Sequence, residues 1–594
     1  MADTTTPELN FDPDALRERY RLERDRRLRS EGNQQYINIA EFEQYLEDPY
    51  AVPIERAPLS DQVEVALIGG GFAGLLTGAR LREYGFTDIR IVEKGNDFGG
   101  TWYWNRYPGA ACDTEAYIYM PLLEETGYIP TEKYAKGPEI YEHSQRIARH
   151  FDLYKDVLFQ TQVTELRWNE GSSTWTISTD RGDNFRAKYV VMANGPLNRP
   201  KLPGIPGIES YKGHSFHTSR WDYAYTGGSS YGGLTGLADK RVGIIGTGAT
   251  AIQCIPHLGA SAHQLLVFQR TPSSVDVRAN RPTDPDWPKT LKPGWQKERM
   301  ENFSTLTTGG KAEVDLVADG WTEIIGKLAR RRLDDGSDFA RQLELADFEK
   351  MEQIRRRAEE IVADATTAES LKPYYRQFCK RPCFHDEYLQ TYNRMNVTLV
   401  DTQGQGVERI TEKGIVANGV EYEVDCIIYA SGFEVGTPLE RRAGYQVYGR
   451  DGIALSEKWS DGISTLFGMQ SRGFPNCFII SGSQVGQSAN IPHLLAVQSS
   501  HISHIMNAAR DHEAREVDVT EEAENAWVQT VMDAALGNIG FLESCTPGYY
   551  NNEGQPNGEL MRRNGPYAPG IMRFSRKLNE WREEGTLQGI EFIP

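Results

Sequence analysis

The chain has 594 residues, too many for one hydrophobic core, so about two to four structural units are expected. A formal net charge of -18, with no basic block able to track phosphates, excludes nucleic acid as a partner and points to a small substrate that is not polyanionic. No run approaches the roughly 20 apolar residues of a membrane helix and the N-terminus has no apolar signal core, so a cytoplasmic protein without a membrane partner is expected.

Residues 1–60 are polar and charge-rich. Asp14-Ala-Leu-Arg-Glu-Arg-Tyr-Arg-Leu-Glu-Arg24 reads as an exposed helix laced with opposite charges, a solvated arm lying on the body rather than a binding element. At Val63-Glu-Val-Ala-Leu-Ile68 the pattern turns to a buried strand, followed at once by Gly69-Gly70-Gly71-Phe72-Ala73-Gly74 and a helix. Gly69 permits the tight turn, Gly71 lets backbone approach a pyrophosphate, and Gly74 lets helix and strand pack closely. A second strand, Ile89 to Val92, ends at Glu93, where an acid bonds a ribose hydroxyl. Next comes Gly99-Gly100-Thr101-Trp102-Tyr103-Trp104-Asn105-Arg106-Tyr107-Pro108-Gly109, a loop suited to close over a flat ring system, with an aromatic core corner as the plainer reading. Asp113 follows, a carboxylate that needs a cationic partner from elsewhere.

A helix and alternating strands lead to Tyr189-Val-Val-Met-Ala-Asn194-Gly195, and then to a Pro- and Gly-rich linker that places a boundary near residue 196. Beyond it, Tyr211-Lys-Gly213-His-Ser-Phe-His217-Thr-Ser-Arg-Trp221-Asp222 precedes a second fingerprint. That fingerprint is the strand Arg241–Ile245, then Gly246-Thr247-Gly248-Ala249-Thr250-Ala251 and a helix, with Ala in the third glycine place, an allowed variant. The next strand ends in Gln269-Arg270-Thr271 with no acid, and a cation there accommodates a 2′-phosphate, which favours NADPH over NADH.

From about residue 285 the text becomes helical, with Phe348, Met351, Ile354, Ala358 and Ile361 at helix spacing as core positions. Asp425-Cys-Ile-Ile-Tyr-Ala430-Ser431-Gly432-Phe433 echoes Ala193-Asn194-Gly195, as if the chain left one unit at the first and returned at the second. The fold expected is α/β: two Rossmann-like dinucleotide-binding domains with a helical insertion and an N-terminal extension. Its segments are an arm (1–60), the first nucleotide domain (61–196 and 433–594), the second (197–284 and 376–432) and the insertion (285–375). The seven cysteines are scattered, and free thiols in a reducing compartment are expected; Cys379 and Cys383 form the one close pair and lack further zinc ligands, so no metal is expected.

With both fingerprints and the stretch between them in place, the chain after residue 60 resembles the flavin-dependent Baeyer-Villiger monooxygenases. Their signature is Phe-x-Gly-x-x-x-His-x-x-x-Trp followed by Pro or Asp; Gly213, His217, Trp221 and Asp222 match, and Tyr211 replaces the Phe. The long arm and Tyr117 to Glu125 look most like the cyclopentadecanone monooxygenase type, which acts on large rings. The resemblance implies NADPH- and O2-dependent conversion of a ketone to an ester or lactone through an FAD peroxide anion. It also implies that Arg381 is the catalytic arginine, with Asp113 as its carboxylate partner. FAD then falls to Gly69, Gly71, Phe72, Ala73, Gly74, Glu93, Gly100, Thr101, Trp102, Asp113 and Tyr119. NADPH falls to Gly246, Thr247, Gly248, Ala249, Thr250, Ala251, Arg270, Thr271, Lys380 and Arg381. His217 is read as a hinge residue rather than an acid or base. Two departures bear on substrate range: Ala111 stands where many members have Arg, and Tyr549 where a tail Trp lines the pocket. The partners implied are a small ketone and O2, in a monomer or homodimer. A flavin monooxygenase oxidising amines or sulfides lacks the Trp-Asp ending, a disulfide reductase needs a redox cysteine pair, and a silent redox sensor has no need of Asp113, Lys380 and Arg381.

Overall fold

Runs such as Val65-Ala-Leu-Ile68 and Cys426-Ile-Ile-Tyr429 are apolar at every position, which suits strands covered on both faces. The computed structural model describes residues 10–39, 42, 45–331, 339–535 and 539–594, so parts of the arm (1–9, 40–41, 43–44), of the insertion (332–338) and of the tail (536–538) lie outside the description. These runs build two sheets of the same plan. In the first, the parallel order is Cys477–Ile479, Asn184–Met192, Gln62–Ile68, Ile89–Val92 and Val157–Leu158. In the second it is His214–His217, Cys426–Tyr429, Arg241–Ile245, Gln264–Gln269 and Val397–Asp401. Each fingerprint strand is central, flanked by the strand that follows its helix and by the strand ending in Ala-x-Gly.

That equivalence explains the echo between Ala193-Asn-Gly195 and Ala430-Ser-Gly432. Gly69 has φ +116° and Gly246 φ +117°, and a Cβ on them would lie 2.6 Å from the Ala193 carbonyl oxygen and 2.5 Å from that of Ala430. The first glycine of each loop is thus fixed twice, by its backbone angle and by the neighbouring strand end. The stretch His214–His217 takes in the second sheet the edge place that Cys477–Ile479 takes in the first.

The helix Phe72–Glu83 buries nine of its 12 residues because it lies between the first sheet and the helix Ile491–Asp511, where the Thr77 and Ser499 hydroxyls meet at 3.0 Å. The stripe foreseen in the insertion holds: Phe348, Met351, Ile354 and Ala358 are buried on the helix Phe339–Ile361. The arm helix Pro13–Asp25 starts at an Asp12 cap, with Asp14 N–H 2.9 Å from its carboxylate. It is less solvated than its charge pattern suggests. Tyr20 is buried edge-on to Phe348 at 5.3 Å, its hydroxyl takes Arg355 Nη1 at 2.9 Å, and Arg27 Nε donates to the Arg270 carbonyl at 3.1 Å.

One expectation is corrected. Cys379 and Cys545 are joined in a disulfide, while Cys112, Cys254, Cys383, Cys426 and Cys477 are free and buried. The bonded pair is 166 residues apart, so no local spacing reveals it, and both sulfurs sit in an apolar cluster with Met351, Ile354 and Tyr375. Among the described residues no His, Cys, Asp and Glu group is arranged to hold a metal, and no helix is long and apolar enough to cross a membrane.

Candidate active site between the two nucleotide units

Both fingerprint helices begin without a side-chain cap, at Gly71 and Gly248, so their first N–H groups are left for an anion. A Cβ on Gly248 would meet nothing within 4 Å, while one on Gly71 would touch the Gly100 Cα at 3.4 Å. The second loop is thus a backbone cradle with an open front and the first is bounded by Gly100, and the uncapped N–H groups of both fit a pyrophosphate. A Cβ on Gly74 would lie 2.0 Å from the Gly69 carbonyl oxygen, so only glycine fits there; the second loop is looser and holds Ala251. Glu93 accepts from Gly70 N–H and Gly95 N–H, both at 2.6 Å, and so braces the first loop as well as standing at the strand end. Thr247 donates to the Thr271 carbonyl at 2.8 Å, tying the second loop to the end of the next strand.

Phe72, Trp102 and Tyr119 come together beside the first loop. Trp102 Nε1 donates to the Tyr119 hydroxyl at 3.2 Å, and the Tyr119 ring is 6.0 Å from Phe72. The aromatic run after Thr101 is also the contact with the second unit. Tyr107 donates to Gln253 at 2.8 Å, Gln253 Nε2 donates to the Ala111 carbonyl at 2.9 Å, and Arg220 lies 3.8 Å over the Trp104 ring.

Arg381 and Asp113, 268 positions apart, form a two-pronged ion pair, with Nη2 to Oδ1 at 2.6 Å and Nε to Oδ2 at 3.3 Å. The carboxylate holds Arg381 well above the usual arginine range, so it is a permanent cation. The Arg381 side chain keeps 37% of its surface accessible, so it can meet a bound molecule.

Lys380 and Arg270 meet a third cation, Lys201, around Glu553. Lys201 Nζ is 3.2 Å from Glu553 Oε1 and Arg270 Nη2 is 3.5 Å from Oε2. Lys380 Nζ donates to the Pro547 carbonyl at 3.2 Å, and burial, reinforced by Arg270, pulls its pKa down to about 8.

The stretch Tyr211–Asp222 is closed on itself. The Tyr211 hydroxyl lies 2.2 Å from the place of a Gly213 Cβ, so any side chain there would have to displace the Tyr211 ring. Trp221 is fully buried with Nε1 on Thr226, and Asp222 caps the next turn through Tyr225 N–H at 3.1 Å while Oδ2 takes His214 at 3.0 Å. His217 is buried against Phe433, and burial followed by Arg220 takes its pKa down to about 3, so it is neutral at ordinary pH.

Three participants escaped the sequence reading. Trp321 donates from Nε1 to the Asp113 carbonyl at 2.9 Å and faces Arg381 at 5.6 Å, bringing the insertion into the site. Lys201 was legible only as a cation inside a stiff linker, and Glu553 only as an acid in a turn-rich loop.

Residues 66–318 match the family model described as pyridine nucleotide-disulphide oxidoreductase. The chain is 56% identical to neopentalenolactone D synthase of Streptomyces avermitilis, over 98% of this chain and 99% of that protein. It is 51% identical to a Baeyer-Villiger monooxygenase of Streptomyces coelicolor, over 96% of this chain and 95% of that protein. Among solved structures, polycyclic ketone monooxygenase from Thermothelomyces thermophila superposes with a TM-score of 0.90 at 39% identity, covering 97% of this chain and 98% of that one. Two nucleotide cradles and a paired Arg381 and Asp113 accord with relatives this similar along nearly their whole length, which establish that the chain belongs to the Baeyer-Villiger monooxygenase family.

Proposed function

We propose that this enzyme uses NADPH and O2 to insert one oxygen atom beside the carbonyl of a bulky or cyclic ketone, giving an ester or lactone, NADP+ and water. The observation that carries the reading is the Arg381–Asp113 pair in a chain with two uncapped backbone cradles. The likeness to polycyclic ketone monooxygenase and to neopentalenolactone D synthase supports a bulky ring substrate. FAD is assigned to the first cradle with Phe72, Trp102 and Tyr119, and NADPH to the second with Arg270 and Lys380. When bound, NADPH supplies the hydride and FAD passes the electrons on to O2.

The chain's own contribution is electrostatic. Arg381 cannot release a proton near neutral pH, yet its fixed N–H donors stabilise negative charge that develops beside them. Asp113 orients those donors and leaves the guanidinium face toward Trp321. The Tyr549 and Tyr550 rings stand 4.3 Å apart in the tail loop.

The test is incubation of the purified holoenzyme with NADPH, oxygen and cyclic ketones of increasing ring size. Ester or lactone is expected; NADPH oxidation that yields peroxide alone would overturn the reading. Arg381→Ala is expected to keep flavin reduction by NADPH and to lose ester formation.

A further inference from the structure

The cation cluster at the second cradle already holds an anion of the protein's own. Glu553 is 2% exposed, and Lys201, Arg270 and Lys380 together hold its carboxyl below the usual range despite burial, so it is ionised. Its Oε2 takes no hydrogen bond among the described residues and stands 3.5 Å from Arg270 Nη2. The backbone is bent to put it there: Asn552 and Glu553 have φ of 51° and 54°, conformations that side chains with a Cβ rarely adopt. Glu553 N–H donates to the Gly548 carbonyl at 2.8 Å, and the arm holds the loop from outside through Asn33 on Asn552 and Gln555 on the Ser30 carbonyl at 2.7 Å. One carboxylate thus faces three cations, an arrangement under-neutralised by its own side chains and better matched by a phosphate of nearly two charges.

We propose that Glu553 is the resident counter-ion of Lys201, Arg270 and Lys380, and that the 2′-phosphate of NADPH displaces it, with Lys201 as a further phosphate ligand. This rests on the assignment of NADPH to Arg270 and Lys380. A coenzyme without the phosphate leaves Glu553 in place, so the competing carboxylate lowers the affinity for the phosphorylated coenzyme alone.

The test uses the full-length flavin-loaded protein and calorimetric titration with adenosine 2′,5′-bisphosphate and adenosine 5′-monophosphate. Wild type is expected to prefer the bisphosphate. Glu553→Gln removes the competing charge and is expected to tighten the bisphosphate about 5- to 10-fold, the lower range for coupled sites, without changing the monophosphate. Lys201→Met is expected to weaken the bisphosphate about 10-fold. Unchanged or weaker bisphosphate binding in Glu553→Gln overturns the counter-ion role. A wild type with no preference for the bisphosphate instead overturns the placing of NADPH at Arg270 and Lys380. Hydrogen exchange of residues 549–555 in wild type needs no variant: it is expected to rise with the bisphosphate and not with the monophosphate, and exchange that does not respond also sinks the displacement.

Discussion

Arg381 is useful because it is charged at every pH the enzyme meets, and Asp113 is what aims it. Asp113→Asn keeps the shape but weakens the two-pronged pair. Ester formation is expected to fall about 10²- to 10³-fold while flavin reduction persists, as single-turnover product analysis against flavin bleaching would show. Lys380 behaves differently, because burial brings it to about 8. Below that pH it is charged and available to a phosphate; above it the charge is lost. The NADP+ dissociation constant is therefore expected to rise above pH 8 in wild type and to stay flat in Lys380→Arg, as flavin-fluorescence titration at several pH values would reveal. His217, neutral down to about pH 3, contributes no ionisation to such profiles. Arg381, Asp113 and Lys380 were legible because family motifs mark them. Glu553 was not, because its partner Lys201 is 352 positions away and nothing near it in sequence announces an ion pair.

At the scale of elements, strand–turn–helix was readable wherever the physics is local. The two fingerprints, the Ala-x-Gly strand ends and the insertion stripe each stand within a few residues of what they specify. Gly74→Ala is expected to abolish flavin retention, since its Cβ would fall 2.0 Å from the Gly69 carbonyl oxygen, whereas Ala251→Gly is expected to leave the second unit folded. Bound flavin absorbance after gel filtration distinguishes the two. The arm was harder to read, because one buried ring in a charged helix leaves almost no periodic signal. Tyr20→Ala removes the ring packed on Phe348 and the Arg355 bond, at a cost of about 3 kcal/mol, and is expected to expose the arm to limited proteolysis.

At the scale of the whole molecule, what the sequence hid was long-range closure. The Cys379–Cys545 bond fastens the segment carrying Lys380 and Arg381 to the base of the tail loop carrying Tyr549 and Glu553. Cys545→Ser is expected to destabilise the protein by about 2–4 kcal/mol through the freed chain of the unfolded state, measured as a lower urea midpoint. The chain passes between its two nucleotide units at residues 196–203 and again at 431–435. Those passages run side by side, joined by Lys201 N–H to the Gly432 carbonyl at 2.9 Å and by the Pro200–Phe433 bridge. Two plies bonded edge to edge make a ribbon, which folds readily across its flat face and resists wringing. Lys201 is stitched into that crease by its N–H and reaches Glu553 of the tail loop through its ammonium, so a change in the angle of the crease would be felt directly at the cation cluster.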